Sequence, residues 1–317
     1  MKIPGGTLAL ALLALLAPLA MACSGAQSNS IGPTPSPGPG PGPSPTPTPS
    51  LTAVLIGAGD IADCSNENGR YAEATAKLLD KITDATVFTA GDNAYFSGSD
   101  AEFANCYGPR WGRHLRRTYP SPGNHEYQIS PRPYFDYFGE RAGLPRGAGF
   151  YSYTLGNWHV VSLNSNVPVT PGSEQMLWLR NDLEASKGTK CSLAYWHHPL
   201  FTSGPSAGNN GLMREVWRLL FEYGVDIVVN GHDHLYERFE MQDFNGRRDT
   251  QAGIREFIVG SGGASLYDFG PTALNSLFKL KTYGILQLTL RDVGYDSVFI
   301  EAGTERLFDL SLGNLCH

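Results

Sequence analysis

Five strand-like runs in this chain finish in the same manner, in a short turn carrying Asp, Asn or His. Val54-Leu55-Ile56 runs into Gly59-Asp60, and Thr86-Val87-Phe88-Thr89-Ala90 into Gly91-Asp92-Asn93-Ala94-Tyr95. Arg117-Thr118-Tyr119-Pro120 leads to Gly123-Asn124-His125-Glu126. Leu193-Ala194-Tyr195-Trp196 ends in His197-His198-Pro199, and Asp226-Ile227-Val228-Val229-Asn230 in Gly231-His232-Asp233-His234. In α/β proteins, ligands gather beyond the carboxyl ends of the strands. One Asp in such a turn means little, because Asp is an ordinary turn residue. Five such endings would collect two Asp, an Asn, a Tyr and several His on one sheet edge.

That inventory suits two metal ions. Nitrogen and oxygen donors without thiolate fit zinc, iron or manganese and disfavour copper(I) or an iron–sulfur cluster. Paired ions about 3.5–4 Å apart share a bridging ligand and serve displacement at phosphorus. Asp92 is the candidate bridge.

The order GD, GDxxY, GNHE, a strand ending in His, then GHxH resembles the calcineurin-like metallophosphoesterases, and within them the purple acid phosphatases. In the wider family a His usually follows the first Asp by two residues; here that position is Ala62. The purple acid phosphatases also lack this His and use the Tyr of GDxxY, which is Tyr95 here. Asp63 is the alternative filler of the gap. GDNAYFSG and YGVDIVVNGHDH are most similar to the small single-domain type.

The resemblance implies Asp60, Asp92, Tyr95 and His234 around one metal, and Asp92, Asn124, His197 and His232 around the other. A phenolate is a hard anionic donor that favours Fe(III), so the expected pair is Fe(III) with Zn(II), Fe(II) or Mn(II). His125 would face the substrate, protonating the leaving alkoxide or bonding the phosphoryl group, as imidazole chemistry permits. His198 is a second candidate for phosphate contact. Glu126 is expected to orient a His ring from behind. The implied activity is phosphomonoester hydrolysis by water activated at the metals, with a small phosphoester as substrate. Two alternatives stand beside it: a phosphodiesterase or nucleotidase with Zn or Mn in both sites, and a surface binding module without turnover. His114, His159 and His317 lie outside these motifs and are expected to be structural or solvent-exposed.

The fold that the resemblance implies is a four-layer α/β/β/α sandwich over about residues 51–302, with the metal site at the carboxyl ends of the strands. The pattern agrees. Helical spacing appears over Tyr71–Lys81, Glu174–Ser186 and Leu212–Tyr223. A hairpin pairs Phe150–Leu155 with Trp158–Asn164. Late strands are expected at Ile254–Val259, Tyr283–Leu290, Tyr295–Ala302 and Arg306–Leu310. Helices alternating with strands, then a strand-rich tail, suggest two packed sheets with helices outside.

Residues 1–22 read as a secretory signal: Lys2, an apolar stretch from Leu8 to Ala20, and Ala20-Met21-Ala22 before the cleavage point. Cys23 follows directly, resembling a bacterial lipobox, so the expected location is exported and anchored to a membrane through a lipid on Cys23, otherwise periplasmic or secreted. Residues 24–50 read as a Pro-rich linker, expected to extend as polyproline II. The metallophosphoesterase domain would then be 51–317. With Cys23 set aside, four cysteines remain, and an exported compartment permits disulfides. Three pairings are open; the expected one is Cys64–Cys106 with Cys191–Cys316.

Beyond Lys2 the chain carries 23 Lys and Arg against 30 Asp and Glu. An acidic domain does not attract nucleic acid through its overall field, and no protein partner is indicated. Arg110-Trp-Gly-Arg-His-Leu-Arg-Arg117 is a basic cluster expected to form a solvated helix face rather than a nucleic-acid grip. Gly260-Ser-Gly-Gly263 lacks the Lys-Ser/Thr of a P-loop and is expected to line the site mouth.

Overall fold

The computed structural model describes residues 52–205 and 211–317. The signal segment, Cys23 and the Pro-rich linker lie outside them. Thirteen strands build two mixed sheets. The first contains β1 (Ala53–Ala58), β2 (Thr86–Ala90), β3 (Thr118–Ser121), β11 (Gly284–Arg291), β12 (Gly294–Glu301) and β13 (Leu307–Leu315), in the order β13-β12-β11-β1-β2-β3. The second contains β4 (Tyr151–Leu155), β5 (Trp158–Ser162), β6 (Cys191–Tyr195), β7 (Ile227–Asn230), β8 (Tyr236–Phe239), β9 (Arg255–Val259) and β10 (Ser276–Leu280), in the order β10-β8-β9-β7-β6-β5-β4.

The pleat sorts side chains between two cores. In β6, Leu193 and Tyr195 enter the core between the sheets, while Ala194 faces the helices Glu174–Ala185 and Arg214–Glu222. Ile227 and Val229 of β7 repeat the arrangement, with Val228 turned outward. Phe88 of β2 meets Tyr195 across the gap between the sheets, ring centroids 5.6 Å apart. Helix Arg70–Lys81 covers the first sheet with Ala72, Ala76 and Leu79 fully buried. The four-layer sandwich is therefore present.

Two strands were not legible in the sequence, β8 and β10, and both extend the second sheet. The tail divides between the sheets: β9 runs parallel to β7, whereas β11 pairs antiparallel with β1. Strand β13 continues to Leu315, beyond the expected end at Leu310. Cys64–Cys106 and Cys191–Cys316 are both bonded, as expected.

The basic cluster forms a short helix, Trp111–Arg117, that exposes Arg113 and Arg116 and commits its other side to the fold. Trp111 is fully buried and donates to Thr75 Oγ1 at 3.0 Å. Arg117 donates to the Leu79, Ile82 and Ala85 carbonyls, capping the carboxyl end of helix Arg70–Lys81. Arg113 forks onto Glu73 and Asp80. The expected helix face is present and in part exposed, while Arg117 is committed to carbonyls left over at a helix end.

Candidate metal centre

Parallel pairing sends β1, β2 and β3 toward one edge, and β5, β6, β7 and β9 toward theirs. The two edges are stitched together: Gly59 N donates to Val259 O at 2.9 Å, joining the ends of β1 and β9. Within each edge, Asp60 N donates to Gly91 O (3.0 Å) and Gly231 N to His197 O (3.0 Å). Asp60, Asp92 and His232 hold left-handed backbones, with φ of 59°, 51° and 71°. That conformation costs a non-glycine residue about 1–3 kcal/mol and collects at functional sites. Gly123 allows the close approach that completes the edge, since a Cβ there would lie 2.1 Å from Asp92 Oδ1.

The side chains converge on two adjoining positions. At the first, Tyr95 Oη lies 2.9 Å from Asp60 Oδ1, 3.1 Å from Asp92 Oδ2 and 3.1 Å from His234 Nε2. At the second, His197 Nε2 lies 3.1 Å from Asp92 Oδ2, 3.0 Å from Asn124 Oδ1 and 3.1 Å from His232 Nδ1. Asp92 Oδ2 belongs to both. All seven residues expected to bind metal are brought together.

Hydrogen-bond bookkeeping shows what the gap between them suits. His197 Nδ1 faces Ala90 O at 2.8 Å and His234 Nδ1 faces Ser265 O at 2.7 Å. Carbonyls only accept, so both Nδ1 atoms carry a proton and each ring turns its Nε2 inward, the atom that would donate to a cation. Asp60 Oδ2 accepts from His232 N and Asp92 Oδ1 from His125 N, each at 2.8 Å, leaving the other oxygen of each carboxylate for the centre. Two carboxylate oxygens, the Asn124 amide oxygen, imidazole nitrogens and a phenol that can give up its proton converge there, a donor set that fits cations of the hard-to-borderline class. The field has the matching sign. Burial opposes charge on His197, yet the Asp92 and Asp60 carboxylates outweigh it and raise its pKa to about 9. Burial with those same carboxylates pushes the Tyr95 phenol far up; a cation at Oη would act in the opposite direction.

The surrounding residues divide differently from expectation. His125 Nδ1 faces Phe96 O at 2.5 Å, and its Nε2 reaches to 3.7 Å from Asp92 Oδ2, so the ring does face the centre. The His198 ring lies 4.4 Å from that of His232, with Nδ1 2.8 Å from Ser165 Oγ. Burial and the neighbouring His197 and His232 rings hold it neutral, well below the usual imidazole range. Ser165 was missed, although it follows β5 on the same parallel edge and the same logic of strand endings reaches it. Glu126 orients no histidine. Fully buried, it accepts the backbone N–H groups of Asp92 (3.1 Å), Asn93 (2.8 Å), Ala94 (3.2 Å) and Gly123 (2.7 Å). It clamps the two turns that carry Asp92 and Asn124. Burial and the Asp92 charge raise its pKa to about 8, against the pull of those donors.

Asp63 turns away from the gap left by Ala62, its Oδ1 accepting from Ser65 and Asn66. Tyr95 N donates instead to Ala62 O at 3.0 Å. His114, His159 and His317 bond Ala76 O, Asp182 and Asp226 respectively. Gly260 passes against the centre, where a Cβ would lie 2.8 Å from Asp60 Oδ2.

Residues 53–236 match the family model described as Calcineurin-like phosphoesterase. The chain belongs to the calcineurin-like phosphoesterases. Among curated members it is 30% identical over 195 residues to purple acid phosphatase 15 of Arabidopsis thaliana, covering 55% of this chain and 36% of that protein. It is 28% identical over 222 residues to probable purple acid phosphatase 20 of the same plant, covering 61% of this chain and 51% of that one. The chain thus spans about half or less of the length of these relatives. A purple acid phosphatase from yellow lupin (Lupinus luteus) seeds shares the calcineurin-like fold, with a TM-score of 0.67 at 20% identity over 84% of this chain and 54% of that one.

Proposed function

We propose that this calcineurin-like phosphoesterase hydrolyses phosphomonoesters at two metal ions, in the manner of its purple acid phosphatase relatives. The observation that carries the reading is the shared Asp92 Oδ2, with Tyr95 and His234 on one side and His197 on the other. Asp60, Asp92, Tyr95 and His234 would hold one ion; Asp92, Asn124, His197 and His232 the other. The ions, when bound, supply Lewis acidity toward phosphate oxygens and lower the pKa of water. Fe(III) in the Tyr95 position with Zn(II), Fe(II) or Mn(II) beside it matches an anionic set next to a nearly neutral one.

The remaining work falls to this chain's own groups. His125 Nδ1 is held between Phe96 O and Gln128 Nε2, so Nε2 is the ring atom turned to the centre, placed to exchange a proton with a leaving alkoxide. Ser165 Oγ accepts from His198 N at 3.2 Å and can give its own proton to His198 Nδ1. That fixes the His198 proton on Nε2, where it donates to a phosphoryl oxygen. The disulfides favour an oxidising location, in keeping with export and a lipid on Cys23. Steady-state hydrolysis of p-nitrophenyl phosphate against bis-p-nitrophenyl phosphate tests the reading. Monoester turnover should exceed diester turnover; the reverse would favour the phosphodiesterase, and turnover of neither would favour the binding module.

A further inference from the structure

A cavity of about 310 Å³ opens beside the centre, with Tyr95, His125 and His234 at its inner end and Phe96, Tyr267 and Asp63 along its walls. Tyr267 lies flat on the His234 ring, centroids 4.0 Å apart and planes 11° from parallel. Phe96 stands edge-on to Tyr95 at 6.0 Å and keeps 54% of its surface exposed. A large apolar ring left in water beside a polar centre gains by meeting another flat group. The charge in the cavity points the same way. Among the described residues no Lys or Arg lines it, while Asp63 brings a buried carboxylate. Cations close to the lining in the chain are engaged elsewhere: Arg70 pairs with Glu67, Arg132 with Asp100 and Arg238 with Asp309.

A group departing toward His125 enters this cavity. An additional phosphate there would lose hydration without gaining a Lys or Arg partner, next to a carboxylate of like sign. A flat neutral group would stack. We propose that the site selects phosphomonoesters whose leaving group is a flat, uncharged aromatic alcohol over esters bearing further phosphates, with Phe96 and Tyr267 setting the preference. This deepens the phosphomonoesterase reading and rests on it.

The test has two readouts on the metal-loaded full chain. The first is kcat/KM for 1-naphthyl phosphate against ATP, expected to favour the aryl ester at least tenfold on the order of one stacking contact plus an unpaired anion. The second is calorimetric Kd for phenylphosphonate against methylphosphonate, expected to favour the phenyl compound by about tenfold. Phe96→Ala and Tyr267→Ala should each shrink both ratios, whatever they do to absolute rates, and Phe96→Arg should move the first toward ATP. Ratios near one in the wild type, or ratios unmoved in both alanine variants, would overturn the inference. Tighter phenylphosphonate binding with no turnover of any monoester would support the aromatic preference and sink the phosphatase reading instead.

Discussion

The Tyr95 phenol oxygen lies 2.9 Å from Asp60 Oδ1 and 3.1 Å from Asp92 Oδ2, joining the turns that follow β1 and β2. In the proposed centre this phenol is the hard donor to a trivalent ion. Tyr95→Phe keeps the ring packing and deletes only the oxygen. The expected result is loss of iron relative to the second metal, loss of any visible phenolate-to-iron absorption, and a fall in kcat/KM of about 100-fold, the size of losing a metal-orienting interaction. An unchanged spectrum and metal ratio would remove Tyr95 from the ligand set.

Glu126 accepts four backbone N–H groups from the turns bearing Asp92 and Asn124. Glu126→Gln turns an NH2 toward those donors and leaves buried N–H groups unsatisfied, at about 1–3 kcal/mol. Urea denaturation should show that loss, and metal titration a 10–100-fold weaker affinity typical of a lost outer-shell partner. Wild-type values in both would show that the clamp is dispensable.

The disulfides close loops of different length, with separations of 42 for Cys64–Cys106 and 125 for Cys191–Cys316. Chain entropy then gives about 4 and about 5 kcal/mol at 25 °C as upper figures. Paired Cys→Ala variants should place the larger loss of thermal stability at Cys191–Cys316. Only the Cys64–Cys106 variant should weaken metal binding, because Cys64 follows Asp63 in the turn after β1. The opposite order of melting temperatures would contradict the entropic account.

His317 Nδ1 lies 3.1 Å from Asp226 Oδ1. The bond to this carboxylate raises the imidazole's pKa, partly offset by its burial. A raised folded value means stability fully present below the ordinary imidazole range near 6.5 and lost as pH climbs through the folded value. The His317 side chain keeps 19% of its surface in solvent, and screening there keeps the gain under about 1 kcal/mol. Wild type should melt higher than His317→Ala at pH 5.5 and equal to it at pH 9. An advantage independent of pH would mean that the ring acts by packing alone.

The site was more legible than the fold around it, for physical reasons. Asp60, Asp92, Asn124, His197 and His232 each follow an apolar run, so period and punctuation expose them. Strand β8 follows His234 after Leu235 alone, too close to a loop motif to stand out as a strand. Strand β10 is a short edge strand with an irregular register. Glu126 was seen but misread, because a carboxylate beside a His is ambiguous until the N–H groups around it are known. Arg117 read as surface charge, since its carbonyl partners lie more than thirty residues away. Tyr267 belongs to no periodic pattern; only the fold brings it onto His234.

The central claim is that Asp92 is shared between two metal positions. Elemental mass spectrometry of the purified, folded chain measures this most directly. Two metal ions per chain, iron and a second metal in equal amounts, is the predicted result, and Asp92→Asn should lower both. Two zinc or two manganese ions would keep the shared carboxylate but contradict the role given to Tyr95. No tightly bound metal after supplementation with iron, zinc and manganese would contradict the account itself.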